Sequence, residues 1–271
     1  MSTTKRNVLV TGASTGIGRA TALHFHGKGW NVAASMRTPE KAGWAAGDSL
    51  AAIRLDVTDV GSIRSGIQAA RDRFGALDVV VNNAGYGLVG PFEASTPEQV
   101  ARQFDTNVFG IMHVCREVLP LFRERGTGVI VNVASMGGRI TFPLYSCYHA
   151  TKWAVEGFTE ALGYELGPLG IRVKIVEPGP IKTDFYDRSM DLMKKDGLTA
   201  YDAFIARTMP KMNEAGAKGA TPERVAATIF RAATDGSVRL RYPVNAAPIL
   251  LLRRLLPDRL FQGIIRTAVG A

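Results

Sequence analysis

At 271 residues, 46% hydrophobic and 21% charged, the chain can bury the full core of one α/β domain, and no run reaches the roughly 20 uninterrupted apolar residues of a membrane span. Two cysteines, Cys115 and Cys147, form no C-x-x-C pair, and His24, His26, His113 and His149 form no ligand pattern, so neither a disulfide framework nor a metal site is expected. The net charge of +9 favours an anionic partner, but no nucleic-acid-binding signature accompanies it.

The polar start MSTTKRN runs into a strand without the apolar core of a signal peptide, so a cytoplasmic location is expected. Short, nearly continuous apolar runs then recur: NVLVT at 7–11, NVAAS at 31–35, AAIRLDV at 51–57, DVVVNN at 78–83, GVIVNVAS at 128–135 and IRVKIVEP at 171–178. Helical patterns fall between and after them, at about 16–29, 60–74, 97–125, 146–167 and 222–234. Strands apolar on both faces that alternate with helices predict a single doubly wound, Rossmann-type parallel sheet with helices on both faces. Thr96 in TPEQ and Thr221 in TPER are the expected N-caps of the third and fifth helices, each followed by proline at the first helical position.

The first strand leads into TGASTGIGRATA, with Gly12, Gly16 and Gly18. Strand, glycine turn and amphipathic helix in that order predict a dinucleotide site. The glycines let the backbone approach a pyrophosphate, and the free amides of the helix N-terminus meet its charge. Roughly 20 residues on, where an NAD site carries an acid for the ribose 2′-hydroxyl, this chain has Ser35, Met36 and Arg37. An arginine pairs with a 2′-phosphate, so NADP(H) is expected over NAD(H).

YSCYHATKW at 145–153 offers two phenols and one lysine. Lys152 is four residues from Tyr148 and seven from Tyr145, and side chains four apart share a helix face. A tyrosine with pKa about 10 is a poor base, but an ammonium within about 4–6 Å favours its phenolate. From 178 to 220 the chain breaks rhythm, with scattered charges and Met190, Met193, Met209 and Met212; a mobile substrate-covering insertion is expected. Residues 245–271 form a basic extension whose apolar residues and arginines fit an oligomer contact or a peripheral membrane contact. No repeat or interdomain linker appears, so 1–271 is read as one domain.

The glycine loop, NNAG at 82–85, the serine of NVASMGG, YHATK and EPGPIKTDF together resemble the short-chain dehydrogenase/reductase family over about residues 5–190. The resemblance implies an oxidoreductase interconverting a ketone or aldehyde and an alcohol by hydride transfer. Its catalytic set is Asn107, Ser135, Tyr148 and Lys152, with Tyr148 as general acid/base. Its cofactor residues are Gly12, Ser14, Thr15, Gly16, Ile17, Gly18, Arg37, Asp56, Val57, Asn83, Ala84, Gly85, Pro178, Gly179, Ile181 and Thr183, joined by Tyr148 and Lys152. Asn107 would hold a relay water; Ser135 would hydrogen-bond the substrate oxygen. Gly137, Phe142, Tyr145 and Tyr186 are the expected substrate wall beside Ser135. Ser14 and Thr15 stand where many NADP-preferring relatives carry a basic residue, so cofactor choice rests on Arg37. SMR at 35–37 and the basic tail are similar to the 17β-hydroxysteroid and retinol dehydrogenase branch, which implies an apolar substrate; the family implies a homodimer or homotetramer. The alternative is a catalytically weak NADP(H)-binding sensor of the same fold, against which the intact catalytic set argues.

Overall fold

The apolar runs form strands because β-branched residues pack well on a pleated surface covered on both sides. The computed structural model describes residues 5–182 and 190–270. In chain order these residues form β1 (Asn7–Val10), α1 (Gly16–Gly27), β2 (Asn31–Met36), β3 (Ala46–Gly47), β4 (Leu50–Arg54), α2 (Val60–Phe74), β5 (Val79–Asn82), β6 (Gly87–Val89), α3 (Pro97–Phe104), α4 (Gly110–Arg125), β7 (Gly128–Val133) and α5 (Ser146–Leu166). There follow β8 (Ile171–Pro178), β9 (Met190–Leu192), α6 (Asp202–Ala217), α7 (Pro222–Thr234), β10 (Arg241–Val244), α8 (Ala247–Leu255) and α9 (Asp258–Val269).

Eight strands make the main sheet in the order β10-β8-β7-β5-β1-β2-β4-β3, parallel except for the short β3–β4 pair. Val8 sits between Val32 of β2 and Val79 of β5, so the chain leaves β1 in one direction and later returns to its other side. The strands therefore end along one edge, with the order reversing at β1, and ligands bind at such a reversal.

Alternation sorts the strand residues onto two faces. Val8, Val10, Val32, Val79 and Val131 meet Phe25 of α1 and Ile229 of α7; Leu9, Ala33, Val80 and Ile130 meet Ile63 of α2, Val114 of α4 and Val155 of α5. Fully burying each valine or isoleucine contributes about 1.5–3 kcal/mol, so these two layers hold the strand ends in place. Helices lie on both faces, as expected.

One local expectation holds and four change. The Thr96 hydroxyl accepts from Gln99 N at 3.2 Å while the Gln99 amide oxygen accepts from Thr96 N at 3.1 Å, a closed capping box. Thr221 makes no side-chain cap: the amide of Arg224, at the third helical position, donates to the Thr221 carbonyl at 3.1 Å, and the Arg224 side chain has no acceptor for the return bond of a capping box. The helix expected over 97–125 is divided by a π-helical turn at Asp105–Phe109, which turns Asn107 into the core. The strand expected at 51–57 ends at Arg54, freeing Leu55 to Val57 to border the cleft. Within the 178–220 stretch the described residues from 190 on are more regular than its composition indicates: β9 pairs with β6, and α6 follows with Pro210 inside it. β10 adds a sheet edge with Pro243 in it, a tolerated place for proline.

Candidate active site

One cleft of about 750 Å³ opens at the carboxyl ends of β1, β2, β5, β7 and β8. Gly12 and Gly16 take left-handed φ values of +64° and +54°, which a residue with a side chain reaches only under strain. A Cβ on Gly12 would lie 2.7 Å from Ala84 Cα, and one on Gly18 would run into the Gly12 carbonyl and lie 2.5 Å from Asn83 Nδ2. Thr15, the N-cap of α1, makes no side-chain cap, and the first turn holds no acid. Uncapped amides facing a cleft are what a pyrophosphate needs, so the residues present fit a nicotinamide dinucleotide. Asn83 fixes the loop from behind, donating to the carbonyls of Thr11 at 3.0 Å and Gly12 at 3.1 Å, and Thr11 Oγ1 accepts from the amides of Asn83 and Ala84.

Arg37 follows β2 directly, is exposed, and borders the cleft. Among the described residues it has no ion pair, while Glu40, the nearest acid along the chain, is held by Arg54 at 3.0 Å. Asp56 keeps one carboxylate oxygen on Thr58, accepting from its amide at 3.0 Å and its hydroxyl at 2.8 Å.

At the far end of the cleft, Ser135, Tyr148 and Lys152 all border the same space. Ser135 Oγ accepts from Gly137 N at 3.0 Å; its own donation, to the Pro178 carbonyl at 3.4 Å, is long. A ligand oxygen can therefore take that proton at little cost. Lys152 is buried and donates to the Val133 carbonyl at 2.9 Å. Burial pushes its pKa down to about 8, opposed by the charge of Glu156 one turn on. Its ammonium nitrogen stands 5.7 Å from the centre of the Tyr148 ring.

Asn107 does not border the cleft. Its Nδ2 donates to the Tyr86 carbonyl at 2.8 Å and to Thr151 Oγ1 at 3.3 Å, and its Oδ1 accepts from Tyr86 N at 3.1 Å. The side chain thus fastens the segment after NNAG to α5, and the expected relay water finds no unused side-chain donor on Asn107.

A model of the short chain dehydrogenase family matches residues 6–192. The chain belongs to that family. A short-chain dehydrogenase from Streptomyces avermitilis is 34% identical with a TM-score of 0.85, covering 97% of this chain and 96% of that one. The 3-ketodihydrosphingosine reductase of Bacteroides thetaiotaomicron is 32% identical over 96% of both chains. A short-chain dehydrogenase/reductase from Burkholderia phymatum, solved in complex with NAD, is 25% identical with a TM-score of 0.79 over 94% of both. The chain is an oxidoreductase of a fold that holds a nicotinamide cofactor.

In this short-chain dehydrogenase the remaining sequence-derived site residues fall as follows. Ser14, Thr15, Ile17, Val57, Ala84, Gly85, Pro178, Gly179 and Ile181 all border the cleft, as do Gly137, Phe142 and Tyr145. Thr183 and Tyr186 lie outside the described residues. Of the four methionines, Met190 and Met212 border the cleft, while Met193 is buried against Leu88 and Met209 packs beside Tyr145.

Several cleft residues carried no signal in the sequence. Tyr86, Arg102 and Asp191 form one wall, with Arg102 and Asp191 paired at 3.4 Å; burial raises the Tyr86 pKa. His149 lies behind Gly137, its Nε2 accepting from Phe142 N at 3.0 Å, and burial holds its pKa down at about 4. It is therefore neutral and acts as a prop for the Phe142 segment. Only its neighbours in YHATK hinted at it. Behind Lys152, Arg241 binds Glu156 at 2.9 Å and Glu160 at 2.6 Å, and Arg139 binds Glu177 at 3.4 Å.

Proposed function

We propose that this short-chain dehydrogenase is an NADP(H)-dependent carbonyl reductase, an alcohol:NADP+ oxidoreductase acting on an apolar ketone or aldehyde. The observation that carries this reading is a single cleft in which the glycine loop, Arg37, which has no ion pair among the described residues, and the Ser135–Tyr148–Lys152 group all meet. Arg37 pairs with the 2′-phosphate, where an acid would repel it. Asp56 reaches the adenine with its remaining oxygen, and the first turn of α1 takes the pyrophosphate.

The nicotinamide, when bound, supplies or accepts the hydride. Tyr148 gives its phenolic proton to the substrate oxygen as that oxygen gains charge. Ser135, its oxygen already occupied by the Gly137 amide, directs its hydroxyl proton at the same atom and stabilises the developing charge. Lys152 spends one of its three donors on Val133; the other two serve the nicotinamide ribose and the field that makes Tyr148 a stronger acid.

The substrate end is walled by Phe142, Tyr145, Met190 and Met212, which favours an apolar carbonyl compound such as a steroid, retinoid or long-chain ketone. A 32% identical relative named for reduction of 3-ketodihydrosphingosine, a keto lipid, points the same way. A cytoplasmic homodimer or homotetramer completes the reading. The test is a panel of apolar and polar ketones with NADPH and NADH in parallel. NADPH oxidation with apolar ketones is expected; equal use of NADH, or turnover confined to polar substrates, would contradict the reading.

A further inference from the structure

Helix α8, with the sequence APILLLRRL, is apolar on two opposite sides. Leu250 faces inward, packing with Phe261, Ile265 and Val269 of α9 and with Ile140. On the other side Leu251, Leu252 and Leu255 stand 57%, 36% and 69% exposed. α9 repeats the pattern: Phe261, Ile265 and Val269 face inward at four-residue spacing, while Leu260 and Ile264 line an exposed flank. A cluster of exposed aliphatic side chains on one side of a helix pair marks a contact surface.

Charge decides what makes the contact. Residues 245–271 carry Arg253, Arg254, Arg259 and Arg266 against one acid, Asp258, and Asp258 is engaged by Arg253 at 2.5 Å. A twofold pairing of this face with itself would gather two sets of these four arginines in one contact, with Asp258 of each copy already engaged. An anionic bilayer would neutralise them. At the border of the aliphatic patch, Arg253 and Arg266 share a groove of about 350 Å³ with the half-exposed indole of Trp153. Guanidinium groups and an indole beside exposed leucines are the arrangement found at the headgroup level of a membrane.

We propose that α8 and α9 seat this protein on an anionic membrane surface, with Leu251, Leu252, Leu255, Leu260 and Ile264 entering the acyl boundary and Arg254, Arg259 and Arg266 meeting the lipid phosphates. The seat is peripheral, since among the described residues no helix is long and apolar enough to cross a membrane. Its position has a consequence for access. The inner sides of the two helices pack against Met136, Phe142 and Met212, which also wall the cleft, so docking brings the apolar end of the cleft to the lipid. The docking itself does not depend on which substrate the cleft takes.

The experiment is flotation of the full chain, with NADPH present, on vesicles of phosphatidylcholine alone and of phosphatidylcholine mixed with phosphatidylglycerol. Light scattering without vesicles reports the subunit number. The wild type is expected to float with the phosphatidylglycerol vesicles only, and less at high salt. Leu251→Glu with Leu255→Glu lowers the bound fraction about tenfold or more, at unchanged subunit number and melting temperature. Arg254→Glu with Arg259→Glu removes the preference for anionic vesicles while leaving the leucines intact. Failure of the wild type to float, or flotation of the leucine variant to the same extent, overturns the proposal. Loss of subunits in the leucine variant also overturns it, because the face would then join two copies of the chain.

Discussion

The ammonium of Lys152 stands 5.7 Å from the centre of the Tyr148 ring, one helical turn away on the same face of α5, while Tyr145 lies deeper and 6.2 Å from Tyr148 centre to centre. A cation so close favours the form of Tyr148 that has given up its proton. Lys152 keeps that charge only while it remains protonated, and burial has brought its pKa down to about 8. Ketone reduction is therefore expected to slow as pH rises through about 8. Glu156 opposes the effect of burial, so Glu156→Gln is expected to move the limb to lower pH. A pH profile of kcat for the two proteins checks this; coincident limbs would count against the role of Glu156.

The same carboxylate sets a stability trend. Burial and the neighbouring Glu177 charge raise the Glu156 pKa from 4.5 to about 7, while Arg241 and Arg139 pull it down. The folded state thus holds a proton that the unfolded chain releases above about 4.5. The stabilisation is fully present below that value and lost as pH rises through about 7. Melting temperature is expected to fall across this window, and less steeply in Glu156→Gln, as read by calorimetry at several pH values.

Arg37 is an exposed cation with no ion pair among the described residues, at the mouth where a 2′-phosphate would sit. Charge-assisted hydrogen bonds to an ion are worth about 1.5–3 kcal/mol, or roughly tenfold to a hundredfold in binding. Arg37→Asp is expected to lower kcat/KM for NADPH relative to NADH by at least that factor. Parallel kinetics with the two cofactors decide it, and an unmoved ratio would show that Arg37 does not read the phosphate.

Gly18 packs against the Gly12 carbonyl and the Asn83 amide so closely that a Cβ has no room. Both are fixed, since Asn83 is the group that braces the loop. Gly18→Ala is expected to cost about 1–3 kcal/mol of stability and to weaken NADPH binding by tenfold or more, measured by melting and by fluorescence titration.

The parallel sheet was legible because its strands are short apolar runs that no other arrangement covers on both sides. That Tyr148 and Lys152 share a helix face was legible because a four-residue spacing is a geometric statement in itself, and both border the cleft. The surroundings of Asn107 were not legible: its neighbours give no sign that a π-helical turn will spend the amide on Tyr86 and Thr151. Tyr86, Arg102, Asp191 and His149 reach the cleft through long-range packing, between β6 and β9 or behind Gly137, which local periodicity does not encode. Helix α6 was hidden by Pro210 within it, and at Thr221 the amide that a cap would use goes to the Thr221 carbonyl, a choice of geometry that the letters TPER do not show.

The central claim is that Tyr148 donates the proton in an NADPH-dependent ketone reduction. Tyr148→Phe keeps the ring and its packing and removes the one oxygen the chemistry needs. Steady-state reduction of an apolar ketone is expected to fall by about two to four orders of magnitude in this variant, with NADPH affinity by fluorescence unchanged. Wild-type turnover in Tyr148→Phe would contradict the account.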